Sequence, residues 1–315
     1  MKKNIAPQII CTYFFFLCIL PSCIHKRYID KQILYVSPEK KHPIKHIQAP
    51  PVTIWVHGTL MFYKPFYYNI FNSKSCLIPT TLLPYNHKLR LISDALIEQD
   101  PASFTPEEFY AFCWSGKLQA FERKEAAKKL HEDLITLIDT YQKKYNCYPV
   151  IRIITHSHGG NVVLNMAKIK TDALHSISIQ SLVLLACPVQ ENTQHLISSP
   201  LFKKIYSLYS SFDLIQIIAP QLKRKQRNDT SIPKEKRPYK KPAFSSRIFP
   251  HHPNIIQAKI KINNYPISHT HFSSIQFAEI LPSILKKLDS WHETHPNTQE
   301  NNRYKLLCIY KNKKR

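Results

Sequence analysis

Glycine is nearly missing from this sequence: 315 residues hold four, Gly58, Gly116, Gly159 and Gly160. In so sparing a chain each glycine marks a backbone position that a Cβ would spoil, through positive φ or the close approach of another segment. Acidic residues are also short, 21 Asp+Glu against 44 Lys+Arg, for a formal net charge of +23. Such a surplus suits nucleic acid or an anionic membrane. No helix-turn-helix spacing, zinc-finger spacing or ribonucleoprotein motif accompanies it, however, and many lysines are scattered, so no nucleic-acid partner is expected. The eight cysteines show no CxxC and no metal-ligand spacing. No internal repeat is present, and the apolar run near the N-terminus is short for a membrane-spanning helix.

That run is informative in another way. Met1-Lys2-Lys3 precedes Tyr13-Phe14-Phe15-Phe16-Leu17-Cys18-Ile19-Leu20, and Pro21-Ser22-Cys23 follows. A short positive region, a short apolar region and small residues at the break describe a secretory signal peptide over 1–22. Leu20-Pro21-Ser22-Cys23 resembles the bacterial lipobox, which implies a lipidated Cys23, export and anchoring on a membrane of the bacterial cell envelope. Residues 23–50 are polar and basic with Pro38, Pro43 and Pro50, as expected of a tether. Outside the leader, Cys113 and Cys187 lie in apolar strand-like runs, where the role of a small buried hydrophobe is expected.

The core is expected over 51–290 as one domain. Val52-Thr53-Ile54-Trp55-Val56 reads as a buried strand that stops at His57-Gly58-Thr59. Residues 61–88, with Phe62, Tyr63, Phe66, Tyr67, Tyr68 and Phe71, form an aromatic insertion without a clear period, suited to an apolar pocket, a flap or plain packing. Leu89, Ile92 and Leu96 keep helical spacing, and Phe109–Trp114 reads as the next strand, closed by Ser115-Gly116. From Ala120 to Tyr145 the pattern is helical, with Ala127, Leu130, Leu134, Leu137 and Tyr141 on one face and Arg123, Lys124, Lys128 and Lys129 expected in water. A strand over 150–154, a helix over 161–170 and a strand over 182–186 complete βαβ units. Their order predicts an α/β fold, a mostly parallel sheet flanked by helices on both faces.

Between strand and helix stands Thr155-His156-Ser157-His158-Gly159-Gly160. A serine on a strand-turn-helix junction, two residues before glycine, resembles the nucleophile elbow of the α/β-hydrolase superfamily, most nearly its lipase and esterase-like members. Thr155 departs from the usual glycine at the first position. The resemblance, which covers roughly 51–288, implies an α/β-hydrolase fold and Ser157 as nucleophile. It also implies an acid and a histidine that follow in that order, each after a later strand.

Ile205-Tyr206-Ser207-Leu208-Tyr209 is β-prone, and Asp213 follows it where the acid belongs; Glu191, Asp229 and Glu235 are the competitors. Ile255–Ile262 alternates as a terminal strand, a helix is expected over 274–288, and His269 and His271 lie between them. His269, followed by Thr270, fits the His-Ser/Thr pattern of the superfamily, with His271 as the alternative base. In the same resemblance the backbone N–H groups of Thr59 and His158 hold the oxyanion, while Gly58 and His57 shape the turn.

The implied activity is hydrolysis of carboxylic esters, lipids among them, through an acyl-enzyme. Acyl transfer on the same site, or a catalytically inactive envelope binding protein with this fold, are the alternatives. No cofactor is called for. His57, His156 and His158 lack the spacing of a metal site, so none is expected. Ten basic residues against Asp229 and Glu235 over 223–247, within an insertion over 214–250, would suit anionic phospholipid headgroups or a solvated loop. The basic tail 291–315 contains the apolar Leu306–Tyr310 and takes no assignment.

Overall fold

Buried strands that alternate between two apolar faces dictate a sheet with a core on each side, and that is the arrangement found. The computed structural model describes residues 33–36, 49–59, 75–169, 177–218, 245–294 and 305–309. The leader, Cys23, the aromatic stretch 60–74 and most of the basic stretch 223–247 lie outside these residues.

The strands are β1 (Ile33–Val36), β2 (Val52–Val56), β3 (Cys76–Pro79), β4 (Phe109–Cys113), β5 (Ile151–His156), β6 (Ile179–Leu185), β7 (Ile205–Tyr209), β8 (Ile255–Ile262), β9 (Tyr265–Pro266) and β10 (Lys305–Ile309). The helices are α1 (Lys88–Gln99), α2 (Ala120–Tyr145), α3 (Gly159–Met166), α4 (Ile215–Ile218) and α5 (Ile275–Thr294). The sheet runs β1-β10-β8-β7-β6-β5-β2-β4-β3, with β9 paired to β8. Among the described strands, β3 against β4 and β9 against β8 are antiparallel and the other pairs parallel. The protein is therefore α/β, built on a mostly parallel sheet.

Each central strand serves both cores, because successive side chains point to opposite faces. On β2, Trp55 faces one core while Ile54 and Val56 face the other; on β6 the same division separates Val183 and Leu185 from Leu182 and Leu184. Helices α1 and α5 cover the first face with Leu89, Ile92, Phe277, Leu281 and Leu288. Helices α2 and α3 cover the second with Leu130, Leu134, Val162 and Val163. Parallel strands buried on both faces need such near-continuous apolar sequence.

Three findings modify the expectations. Arg123, expected in water, is 2% exposed and belongs to the buried face of α2; it stands four residues before Ala127 and so continues the apolar stripe. The segments read as tether and tail each supply a strand, β1 and β10, and these two pair with each other and join the sheet at β8. Within the expected insertion 61–88, residues 76–79 form the edge strand β3. Cys113 and Cys187 are buried thiols, as their apolar surroundings in sequence suggest.

Candidate functional site

In a parallel sheet the C-terminal strand ends all open on one edge, and the loops after β2, β4, β5, β6, β7 and β8 supply the site there. Ser157 follows β5 directly and takes φ of 54°, the left-handed region that a residue with a Cβ enters only at a cost. The surroundings hold it there. Its N–H donates to Leu185 O at 2.8 Å, extending the ladder one residue past the strand, and Gly160 N–H donates to Ser157 O at 3.1 Å. Thr155, the departure from the glycine of the usual pattern, fits because its buried hydroxyl donates to Val183 O on the neighbouring strand at 3.1 Å.

Close approach explains the glycines around the serine. A Cβ at Gly159 would lie 2.5 Å from Val56 O and 2.6 Å from His57 O, so the start of α3 rests on the backbone that ends β2. A Cβ at Gly58 would lie 2.8 Å from Ser157 Cβ and 3.0 Å from His156 O. The His57-Gly58-Thr59 turn is thereby pressed against the serine, as an anion-holding turn would have to be.

His57 is itself fixed on both ring nitrogens. Its Nε2 accepts from Trp114 N–H at 3.2 Å, which leaves the proton on Nδ1 to donate to Gly58 O at 2.7 Å. Trp114 Nε1–H donates in turn to His57 O at 2.8 Å, and the two rings stack. Burial pulls the His57 pKa down to about 4, so the ring is neutral near pH 7. Thr59 continues this turn, and His158 opens helix α3 at its N-terminus.

Asp213 lies in the loop after β7 and is 1% exposed. Its Oδ2 accepts from His269 Nδ1 at 2.7 Å, and its Oδ1 accepts from Gln216 N–H at 3.0 Å. A carboxylate only accepts, so His269 Nδ1 carries the proton of this contact. Gln216 is anchored by donating to Cys187 O at 2.6 Å, and Arg247 donates to the Asp213 carbonyl at 2.8 Å from Nη2 and 3.1 Å from Nε. His271 stands elsewhere, edge-on to Phe277. Of the two histidines in this loop, His269 is the one brought to the acid.

His156 links the serine turn to the His269 loop. Its Nε2–H donates to His269 O at 3.1 Å, and the two rings lie 4.8 Å apart between centroids. Burial holds its pKa well below the ordinary value, with the nearby His269 adding to the effect. The His158 pKa is lowered to about 3, by burial and then by the charge of Arg123. Ser157, His158, Asp213 and His269 thus converge with the His57-Gly58-Thr59 turn at one sheet edge. Glu191 is exposed on the loop after β6, whereas Asp229 and Glu235 lie outside the described residues.

Sequence reasoning missed His156, Gln216, Arg247, Trp114 and Arg123 as site residues. Arg123 alone had a signal, its i−4 spacing from Ala127; the others act through loop contacts between distant segments. Among the described residues no three His, Cys, Asp or Glu side chains gather as a metal ion would require, and no helix is long and apolar enough to cross a membrane. No family profile matches the chain, and no curated protein matches it either.

Proposed function

We propose that the protein is a serine hydrolase of the α/β-hydrolase type that cleaves carboxylic esters through an acyl-enzyme. The observation that carries this reading is the His269–Asp213 pair at 2.7 Å, held by His156 next to a serine at φ 54°. In the proposed mechanism Ser157 Oγ attacks the ester carbonyl while His269 Nε2 takes its proton. Asp213 keeps the ring oriented and stabilises the imidazolium. The tetrahedral oxyanion is held by the N–H groups of Thr59 and His158, the latter at the positive end of α3. The imidazolium then protonates the departing alcohol, and water repeats the sequence on the acyl-serine.

The lipobox-like Leu20-Pro21-Ser22-Cys23 supports anchoring of this enzyme at the cell envelope through Cys23. The test of the activity is hydrolysis of p-nitrophenyl esters of increasing chain length by wild type and Ser157→Ala. A Ser157-dependent rate supports the proposal, and equal rates refute it. Adding an alcohol acceptor to the same assay reads acyl transfer against hydrolysis.

A further inference from the structure

Besides the groups that would perform chemistry, the site holds a cation, Arg123, that meets no carboxylate among the described residues. Arg123 is 2% exposed, as enclosed as Ser157 at 4%. Its Nη1 donates to Leu118 O at 2.5 Å, on the loop after β4, and its Nη2 donates to Gln190 Oε1 at 3.1 Å, on the loop after β6. Both acceptors are neutral. The acidic group nearest in influence is the Cys187 thiol, which burial pushes up to about 12 and so keeps uncharged. Burial pulls the guanidinium down only to about 10, so it stays protonated at neutral pH. Tying two loops together uses two of its five N–H groups and none of its charge. An unpaired buried charge is costly, and one near enough to His158 to lower its pKa invites an anion that arrives from outside.

The rest of the site has the same sign. Arg247 is half-buried against the Asp213 carbonyl. Asp213 is the carboxylate found here among the described residues, and His269 occupies it. His57, His156 and His158 are neutral, so they do not change the sum.

We propose that the substrate of this site is an ester that carries its own negative group, a carboxylate or a phosphate, and that Arg123 beside His158 is the residue that selects for it. The inference rests on the ester-cleaving reading and deepens it. A charge-assisted contact of this kind distinguishes a charged substrate from a neutral isostere by on the order of 10–100-fold.

The experiment compares kcat/KM for p-nitrophenyl butyrate with that for mono-p-nitrophenyl succinate in wild type, Arg123→Lys and Arg123→Met. The expected wild-type ratio favours the succinate ester by about tenfold or more, falls by a similar factor in Arg123→Met, and is partly restored in Arg123→Lys. A second arm needs no turnover and no Arg123 variant. Folded Ser157→Ala protein is titrated at constant ionic strength with inorganic phosphate or with succinate, and a saturable rise in Tm of about 2–4 °C is expected for one of them, which separates the phosphate from the carboxylate source. A wild-type ratio near one, a preference unmoved by Arg123→Met, or no Tm response to either anion overturns the proposal. Absence of hydrolysis of every ester, with the Tm response intact, overturns the ester reading and leaves the anion site standing.

Discussion

His156 donates from Nε2 to the carbonyl of His269 at 3.1 Å, so the residue before the serine holds the backbone of the residue that would activate it. This contact ties the Ser157 turn to the loop that carries His269. Replacing His156 by Phe keeps the ring volume and removes the donor. The expected outcome is a fall in kcat of about tenfold to a hundredfold, the range of a sub-ångström to ångström displacement of a catalytic group. His156→Gln, with an amide N–H that can reach the same carbonyl, should recover part of the loss. A merely structural role would instead lower Tm in both variants and leave kcat per folded molecule unchanged.

The Asp213–His269 contact carries a separate expectation. Asp213→Asn keeps the shape but can donate to His269 Nδ1, moving the ring proton to Nε2, the position that must accept from serine. A decrease in kcat on the order of 10³–10⁴ is expected. His271→Gln, by contrast, should change kcat less than His269→Gln by at least tenfold, because His271 faces Phe277 rather than the acid. Steady-state kinetics on one p-nitrophenyl ester reads both.

Gly58 and Gly159 separate fit from chain freedom. Neither has room for a methyl group, since the obstructing atoms are backbone oxygens or the serine Cβ, which cannot swing away. Gly159→Ala should cost about 1–3 kcal/mol in urea unfolding. Gly58→Ala should displace the serine itself and cost activity beyond its effect on stability. Wild-type behaviour of both would mean that the turns after β2 and β5 are not pressed together as described.

Acid should unfold the protein through its neutral histidines. The folded-state pKa is lowered to about 4 for His57 and about 3 for His158, while the unfolded chain takes up these protons near 6.5. Between pH 6.5 and 4 the unfolded state therefore binds more protons, and stability falls as pH falls. Each histidine contributes about 1.4 kcal/mol per pH unit in that window. Urea midpoints at pH 7, 6 and 5 should drop accordingly, and His57→Gln should flatten the slope by about one proton. An unchanged slope in that variant would remove His57 from the account.

Much of the frame could be read in the sequence because its signals are local. Val52–Val56, Ile205–Tyr209, Ile255–Ile262 and helix Ala120–Tyr145 follow from periodicity alone, and their order dictates a parallel sheet. The resemblance singles out Ser157, Asp213 and His269 by their order after strands and favours His269 over His271 by the threonine that follows it; the structure brings His269, and not His271, to Asp213. What sequence could not give are contacts made across loops. Gln216 reaching Cys187, Trp114 fixing His57, and His156 reaching His269 join residues separated by up to 113 positions. The strand β10 was invisible because Leu306–Ile309 is apolar but short, and only its neighbours β1 and β8 make it a strand.

Away from the site, Glu108 is buried where β4 begins and accepts from Tyr145 Oη at 3.0 Å, Lys144 Nζ at 2.9 Å and Tyr110 Oη at 3.1 Å. Glu108→Ala strands these donors at the far end of the sheet. A loss of about 1–3 kcal/mol in unfolding free energy is expected, with kcat per folded molecule unchanged. Chemical denaturation monitored by Trp fluorescence measures the first, and active-site-normalised rates the second.

The central claim is that Ser157 is an activated nucleophile, and covalent labelling tests it most directly. Folded wild-type protein is incubated with a fluorophosphonate, and the intact mass and the modified peptide are determined. The account predicts one adduct per chain, located on Ser157, absent from Ser157→Ala and slowed in His269→Gln. Folded wild-type protein that gains no adduct, or a Ser157→Ala protein labelled as fast as wild type, would contradict it.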